Sequence, residues 1–170
     1  MNTILILVAI LQSFAVSLGV GSSTLAVTNF FVAIADGKID ETERKMMGIA
    51  YIILRVAMVL ILITTLLLMV GSLARTDSML LTPFTVGQLV ALLVLYVNAI
   101  LMTLRIMPST FGPAFQAGSW YTLGTLQALF ALSLTHFTYL QFFLSYIAAL
   151  VLMVSVINGT MAYLKSRRPV

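Results

Sequence analysis

The sequence predicts an all-α integral membrane protein, a bundle of about five transmembrane helices. Of its 170 residues, 61% are hydrophobic and only 8% are charged. Soluble domains carry roughly 25% charged residues, so this chain has too few charges to cover a water-exposed globule. The apolar residues also stand in long runs, each of them long enough to cross about 30 Å of hydrocarbon.

Short polar or proline-containing connections divide the apolar sequence into five segments. The first segment has no basic residue in front of it and is longer than a signal-peptide core, so we expect it to be retained. As a straight helix it would measure about 48 Å, and we expect it to tilt, protrude or break at GVGSST, residues 19–24. We predict a single transmembrane domain over residues 1–170, with spans at about 4–35, 46–73, 83–107, 117–134 and 138–164.

Capping residues mark the predicted connections. Gly37 is placed to end the first helix, and Asp40 followed by Glu43 forms a capping-box pattern that begins the second. Pro83 stands in the first turn of the third helix, where its missing N–H has no cost. Residues 36–43 match only the second half of a calcium-binding EF-hand loop, so we interpret them as helix-capping residues.

The basic residues indicate the orientation in the membrane. With five spans, the connections on one side carry a single basic residue, Arg75, whereas seven basic residues lie on the other side. These seven are Lys38, Arg44, Lys45, Arg105, Lys165, Arg167 and Arg168. Cytoplasmic segments carry an excess of Lys and Arg, so we expect a bacterial inner-membrane protein with an external N-terminus and a cytoplasmic C-terminus.

Composition also limits the function classes. The net charge of +4 does not indicate a nucleic-acid partner, because the nine basic residues form no stripe that could follow a phosphate backbone. The chain has no cysteine and one histidine, His136, which excludes iron–sulfur clusters, thiolate metal sites and a haem held by two histidines. No nucleophile–base pair or metal cluster can be assembled from the sequence, so we expect no enzyme activity and no cofactor.

Arg55 is the most informative single residue, because a guanidinium near the middle of a bilayer costs several kcal/mol. Arg55 follows the first connection by about as many residues as Asn29 precedes it. In an antiparallel helical hairpin the two residues therefore lie at the same depth, and we predict that Arg55 faces the bundle interior beside Asn29. The alternative is that Arg55 extends to the lipid headgroups or pairs with Asp36.

Polar residues recur along one face of the third and fifth predicted helices. Gln88, Asn98 and Arg105 are spaced ten and seven residues apart, which places them on one stripe of helix 3. A second line of small and polar residues in helix 5 runs through Gln141, Ser145, Ala148, Leu152, Ser155 and Gly159. Lipid offers polar groups no partners, so we expect both stripes to face inward, where they either join helices or line a polar pathway.

A face of small residues on the first helix and two aromatic residues on the fourth are further candidates for packing or membrane contact. Ala15, Gly19 and Ser23 are spaced four residues apart, which predicts close helix packing within the bundle or in a homo-oligomer. The alternative for this stretch is unwound backbone that lines a pathway. Trp120 and Tyr121 are residue types favoured at membrane interfaces, and we expect them at that level.

One set of motifs resembles a known family. The motifs are Gly-Val-Gly-x-x-Thr at residues 19–24, Phe30-Phe31, and Asp36-Gly37-Lys38-Ile39-x-x-x-Glu43, with Asn98, Pro108 and Ser119-Trp120-Tyr121 further along the chain. This combination resembles an uncharacterised family of small bacterial polytopic membrane proteins. The resemblance covers most of the chain and implies the fold, but its motifs are diagnostic of no chemistry. The chain lacks the histidines that such proteins carry in helices 1 and 3.

Two function hypotheses remain. The first is a transporter or channel for a small polar or anionic solute, with a pathway between helices 1, 2 and 3. Its candidate residues are Asn29, Arg55, Gln88, Asn98 and Arg105. The second is a non-catalytic structural or accessory subunit that packs against a larger membrane complex. In both hypotheses the surroundings are the lipid bilayer, and we expect a homo-oligomer or a larger membrane complex.

Overall fold

A computed structural model describes residues 3–37, 40–73, 82–108 and 110–167. These residues form helices and no strand, so the prediction of an all-α protein is confirmed. Lys38, Arg75 and Arg168, which the orientation argument uses, lie outside the described residues. The five helices are α1 (Thr3–Asp36), α2 (Glu41–Leu73), α3 (Pro83–Thr103), α4 (Gly112–Ala131) and α5 (Tyr139–Ser166).

Four helices, α1, α2, α3 and α5, are long and apolar enough to cross a membrane, which makes this a membrane protein. The less apolar α4 packs against α1, α3 and α5. Nine of its 20 residues are buried, among them Gln116, Gly118 and Ser119. Because these side chains meet protein rather than lipid, α4 tolerates a more polar composition than its neighbours.

Successive helices run in opposite directions, so that alternate connections lie at the same end of the bundle. We call one end, which holds the start of α1 and the turn between α4 and α5, the N-terminal end. The opposite end, which holds the connections α1–α2 and α3–α4, is the C-terminal end. Polar side chains gather near both ends, and the large apolar core lies between them.

The hairpin of α1 and α2 is the most extensive helix pair. Each helix buries a small or short polar residue at every seventh position. In α1 these residues are Ala15, Ser22 and Asn29, and in α2 they are Ala50, Ala57 and Thr64. A seven-residue repeat keeps these buried residues on one face of each helix.

The predicted capping residues at the first two connections are confirmed. Gly37 ends α1 with a φ of 77°, a left-handed conformation that favours glycine. The Asp40 N–H donates to Glu43 Oε2 at 3.0 Å, and the Glu43 N–H donates to Asp40 Oδ1 at 2.6 Å, which is a reciprocal capping box. Pro83 begins α3 directly after the N-cap Thr82.

Several helix boundaries and the predicted break differ from expectation. The third helix ends at Thr103 rather than at 107, and the fourth begins at Gly112 rather than at 117. Of the three alternatives for the long first helix, the break at GVGSST does not occur, because α1 is helical from Thr3 to Asp36. Two of the three hydroxyls of this stretch, those of Ser22 and Thr24, bond to carbonyls of the preceding turn, as Thr24 Oγ1 does to Val20 O at 2.8 Å, and the helix continues through them.

Two predictions about side-chain direction are also wrong. Trp120 is fully buried in the core instead of lying at an interface, because it packs over Gly19 of α1. The predicted inward stripe of α5 is largely exposed, as Leu152 shows with 62% of its surface accessible. The buried face of α5 instead carries large side chains, namely Phe142, Tyr146, Ile157 and Met161.

Candidate functional site: two cavities at opposite ends of the bundle

The larger cavity, which we call the glutamine cavity, lies at the N-terminal end and has a volume of about 760 Å³. Ten of the residues that line it have amide, hydroxyl or imidazole side chains. They are Gln12, Thr65, Thr82, Thr85, Gln88, Gln127, Thr135, His136, Thr138 and Gln141. None of the described residues that line it is Asp, Glu, Lys or Arg, so the wall offers hydrogen bonds without a fixed charge.

Hydrogen bonds between helices hold the amides of the glutamine cavity in place. Gln12 Nε2 of α1 donates to Thr65 Oγ1 of α2 at 3.0 Å, and Gln88 Nε2 of α3 approaches the same oxygen at 3.4 Å. Gln127 Nε2 of α4 donates to Ser13 Oγ of α1 at 3.0 Å. One hydroxyl thus joins three helices, and the amides face the cavity in fixed positions.

The turn between α4 and α5 closes one side of the same cavity. Thr138 is the N-cap of α5, and its backbone N–H donates to Gln141 Oε1 at 2.8 Å in a second capping box. His136 stands exposed in this turn and lines the cavity. The short connection between α4 and α5 therefore caps the first turn of α5 and also contributes several polar groups to the wall of the glutamine cavity.

The smaller cavity, which we call the arginine cavity, lies at the C-terminal end and has a volume of about 300 Å³. Its polar lining residues are Ser23 of α1, Tyr51 of α2, Gln116 of α4, and Arg105 in the α3–α4 connection. Apolar side chains such as Phe30 line the rest of the wall. None of the described lining residues is acidic.

Arg105 is positioned by the turn that ends α3. Its N–H bonds to Met102 O at 3.1 Å and the Ile106 N–H bonds to Leu101 O at 3.0 Å, the two bonds of a Schellman motif. Arg105 occupies the left-handed position of this motif with a φ of 58°. Glycine is usual there, and an L-residue in this conformation costs about 1–2 kcal/mol.

Asn98 and Gln116 form a buried amide pair behind the arginine cavity. Asn98 Nδ2 donates to Gly112 O at 2.9 Å and to Gln116 Oε1 at 3.2 Å. Because a carbonyl oxygen only accepts, the Gly112 contact fixes the donor side of Asn98 and therefore the oxygen side of Gln116. The Gln116 NH₂ group points elsewhere, with only a long contact of 3.9 Å to Met58 Sδ.

An apolar layer separates the two cavities, which share no lining residue. On each of the four helices α1 to α4, buried apolar residues stand between the parts that line one cavity and the other. Examples are Val16, Ile61, Leu95 and Trp120, of which at most 4% of the surface is accessible. The polar groups therefore form two vestibules that the core closes off from each other.

The five predicted pathway residues are not brought together. Gln88 lines the glutamine cavity and Arg105 lines the arginine cavity. Asn98 is buried between α3 and α4 behind the arginine cavity. Asn29 is buried on α1, where its Nδ2 has no hydrogen-bond partner among the described residues.

The prediction that Arg55 faces the interior beside Asn29 requires a correction, because the Arg55 side chain is exposed. The buried stripe of α2 passes through Leu54 and Ala57, and Arg55 is rotated about 100° from Leu54 around the helix axis. Helical side chains lean towards the N-terminus of their helix, so Arg55 leans towards the charged end of α2, as the snorkelling alternative expects.

The predicted small-residue face lies in contact with α4. Ala15 and Ser23 are buried, and a Cβ atom at Gly19 would overlap the six-membered ring of Trp120. Gly124 of α4 also lies close to α1, since a Cβ atom at Gly124 would lie 3.2 Å from a methyl group of Val20. The face is therefore used within the chain, between α1 and α4.

Sequence reasoning missed most of the glutamine cavity, including Gln12, Thr65 and Gln127. All five glutamines of the chain line one of the two cavities. The signal available in the sequence was the presence of amides within otherwise apolar segments, at similar distances from the same end of the bundle. Each amide stands alone in its helix, so only the packing of the helices shows them as a group.

Among the residues that the structure describes, no three His, Asp or Glu side chains lie close enough together to hold a metal ion. The comparisons with known proteins add no family assignment. No family model matches the chain, and neither the curated proteins nor the solved structures contain a significant match.

Proposed function

We propose that this protein is a transporter or channel for a small, uncharged, polar solute that enters through the glutamine cavity. The observation that supports the proposal is that ten polar side chains surround one cavity in a chain of mainly apolar helices. A solute with hydroxyl or amide groups would find both donors and acceptors there. An anionic solute is less well suited, because no Lys or Arg is among the lining residues described.

Passage to the opposite end requires the apolar layer to open. Trp120 packs over Gly19 in this layer, and its Nε1 is buried without a hydrogen-bond partner among the described residues. A movement of α4 relative to α1 would displace the indole and connect the two cavities. An opening that connects both cavities at once is the behaviour of a channel, because alternating access exposes a single site to only one side at a time.

The orientation follows from the basic residues. Arg44, Lys45, Arg105, Lys165 and Arg167 all lie at the C-terminal end, and the described part of the N-terminal end has no Lys or Arg. We place the C-terminal end in the cytoplasm of a bacterial cell, so that the glutamine cavity opens to the outside. We also propose that the protein forms a homo-oligomer.

A second candidate is an accessory subunit, and the interhelical hydrogen bonds favour it. The bonds of Gln12, Gln88 and Gln127 join α1 with α2, α2 with α3, and α1 with α4. Such bonds contribute about 0.6 kcal/mol each to the stability of membrane proteins. If the protein is an accessory subunit, these bonds serve only to stabilise its helix bundle. The two candidates differ in whether the cavity wall affects solute flux.

Two adjacent threonines of α2 provide a matched test. Thr65 lines the glutamine cavity and accepts the Gln12 bond, whereas Thr64 is equally buried, does not line the cavity and bonds to carbonyls of its own helix. Thr65→Val should lower the permeability of reconstituted liposomes to glycerol or urea by about tenfold, the effect of about 1.4 kcal/mol on a barrier. Thr64→Val should leave it unchanged.

Stopped-flow light scattering measures this permeability, and thermal unfolding of both variants in detergent controls for their stability. Equal rates in wild-type and protein-free liposomes would contradict transport of these solutes. A loss of stability in Thr65→Val without any change in flux would support the accessory-subunit candidate.

A further inference from the structure

The hydroxyl of Ser13 fixes the orientation of the Gln127 amide in the glutamine cavity. Ser13 Oγ lies 3.1 Å from Ala9 O and must donate its single hydrogen there, because a carbonyl oxygen only accepts. Towards Gln127 the hydroxyl can then only accept, so the amide group that lies 3.0 Å from it is the NH₂ group. Gln127 Oε1 is left without a hydrogen-bond partner among the described residues, on a side chain that lines the cavity.

Thr65 imposes a similar constraint on Gln12 and Gln88. Both amides meet Thr65 Oγ1, at 3.0 Å and 3.4 Å. A hydroxyl has one hydrogen, so at most one of the two glutamines can turn its oxygen to Thr65, and the other must donate its NH₂ group. In the structure both donate, which leaves both Oε1 atoms without a partner in the described part of the chain. Glutamine carbonyls of α1, α3 and α4 thus remain as acceptors for the cavity.

The polarity of the wall is reversed where α5 begins. Gln141 Oε1 accepts from the Thr138 N–H at 2.8 Å, and a backbone N–H only donates, so the orientation of this amide is also fixed. Gln141 is exposed and lines the same cavity, and its NH₂ group is the part of the amide that no described residue engages. The wall therefore offers carbonyl acceptors on three helices and an amide donor at the start of α5.

We propose that the solute of the glutamine cavity belongs to the carboxamide or urea class, whose members carry more hydrogen-bond donors than acceptor atoms. This inference rests on the proposed transport function and specifies its substrate. The N–H groups of such a molecule would donate to carbonyls of Gln12, Gln88 or Gln127, and its own carbonyl would accept from Gln141. A polyol fits less well, because each hydroxyl brings an oxygen with its hydrogen, and an oxygen that meets a glutamine carbonyl makes no bond.

Three isomeric amides separate the number of donors from the size of the solute. Propanamide has two N–H donors, N-methylacetamide has one and N,N-dimethylformamide has none. Each isomer, equilibrated across liposomes that contain the wild-type protein, is tested as an inhibitor of urea flux by stopped-flow light scattering. We expect propanamide to inhibit at least about tenfold more strongly than N,N-dimethylformamide, with N-methylacetamide between them, because each lost donor leaves a carbonyl of the wall unpaired. The protein-dependent flux of urea should likewise exceed that of glycerol.

Gln127→Met tests the carbonyl itself, because it removes the amide while Ser13 keeps its bond to Ala9. The variant should lower the protein-dependent urea flux by about tenfold and change the glycerol flux less. Thr125→Val is the control on the same helix, since Thr125 is exposed, lies outside the cavity and bonds to a carbonyl of its own helix. Thermal unfolding in detergent checks that both variants fold, and the isomer series needs no variant at all.

The outcomes separate the substrate class from the transport function. Equal inhibition by the three isomers, or equal fluxes of urea and glycerol, would overturn the substrate class and leave the transport function standing. A preference for urea that a folded Gln127→Met retains in full would also overturn the inference. No protein-dependent flux of any of these solutes would contradict the transport function itself, and the inference with it.

Discussion

Gly19 and Trp120 form a close approach between α1 and α4. The absence of a side chain at Gly19 leaves room for the indole, which is fully buried there. Gly21, two residues further along the same helix, has no atom within 4 Å of the position that a Cβ would take. The two glycines of GVGSST thus have different roles, and only the first is required by packing.

The pair allows a prediction with an internal control. Gly19→Ala should lower the free energy of unfolding by about 1–3 kcal/mol, because the added methyl group overlaps the Trp120 ring. Gly21→Ala should leave it unchanged or raise it by up to about 1 kcal/mol, since alanine is the better helix former. The chain has one tryptophan, so the fluorescence of Trp120 during unfolding in detergent reports on this contact directly. Equal stabilities of the two variants would show that the contact is not tight.

The helices α3 and α4 both end in a Schellman motif whose left-handed residue is not glycine. Ser133 follows α4 with a φ of 57°, and its N–H bonds to Phe130 O at 3.0 Å. The Leu134 N–H bonds to Leu129 O at 2.8 Å, which completes a Schellman motif like the one at Arg105. Both turns hold a residue in a conformation that only glycine adopts without cost.

Ser133→Gly is therefore expected to stabilise the protein by about 1 kcal/mol, the cost of an L-residue in the left-handed region. Leu132 precedes it with a φ of −85°, a conformation that any residue adopts, so Leu132→Gly should be neutral or destabilising. The midpoints of thermal unfolding in one detergent compare the two variants. A lower midpoint for Ser133→Gly than for the wild type would mean that the serine side chain contributes more than the backbone conformation costs.

These helix ends also show which boundaries a sequence can reveal. Gly37, Asp40 and Pro83 are local capping signals, and the roles predicted for them are confirmed, although α2 begins at Glu41 rather than at about 46. Arg105 and Ser133 give no such signal, because the left-handed residue of each turn is not a glycine. The third and fourth helices were consequently predicted to end three or four residues too late.

The candidate site was less predictable than the fold for a related reason. Residue counting gives the depth of a side chain along a helix, but its direction around the axis depends on which face packs. For Arg55 the count gave a depth in the membrane, but the prediction that its side chain faces the bundle interior was wrong, because the side chain is exposed. The glutamine cavity draws its amides from different helices, as Gln12, Gln88 and Gln127 illustrate, and no local spacing links them.

At the scale of the whole molecule, polarity and charge are distributed unequally between the two ends. The glutamine cavity at the N-terminal end is lined by neutral polar groups, and the arginine cavity at the C-terminal end contains a cation. The described Lys and Arg residues outside the spans also lie at the C-terminal end. A protein with this asymmetry has one preferred orientation in a membrane.

Cysteine labelling tests that orientation without removal of native thiols, because the chain has no cysteine. His136→Cys in the exposed α4–α5 turn should react with a membrane-impermeant maleimide in intact cells. Ser166→Cys at the end of α5 should react only after permeabilisation if, as we propose, the positively charged end faces the cytoplasm. The opposite pattern would reverse the orientation and make the arginine cavity face outward. Labelling of both positions in intact cells would mean that α5 does not cross the membrane, because the two positions lie at its opposite ends.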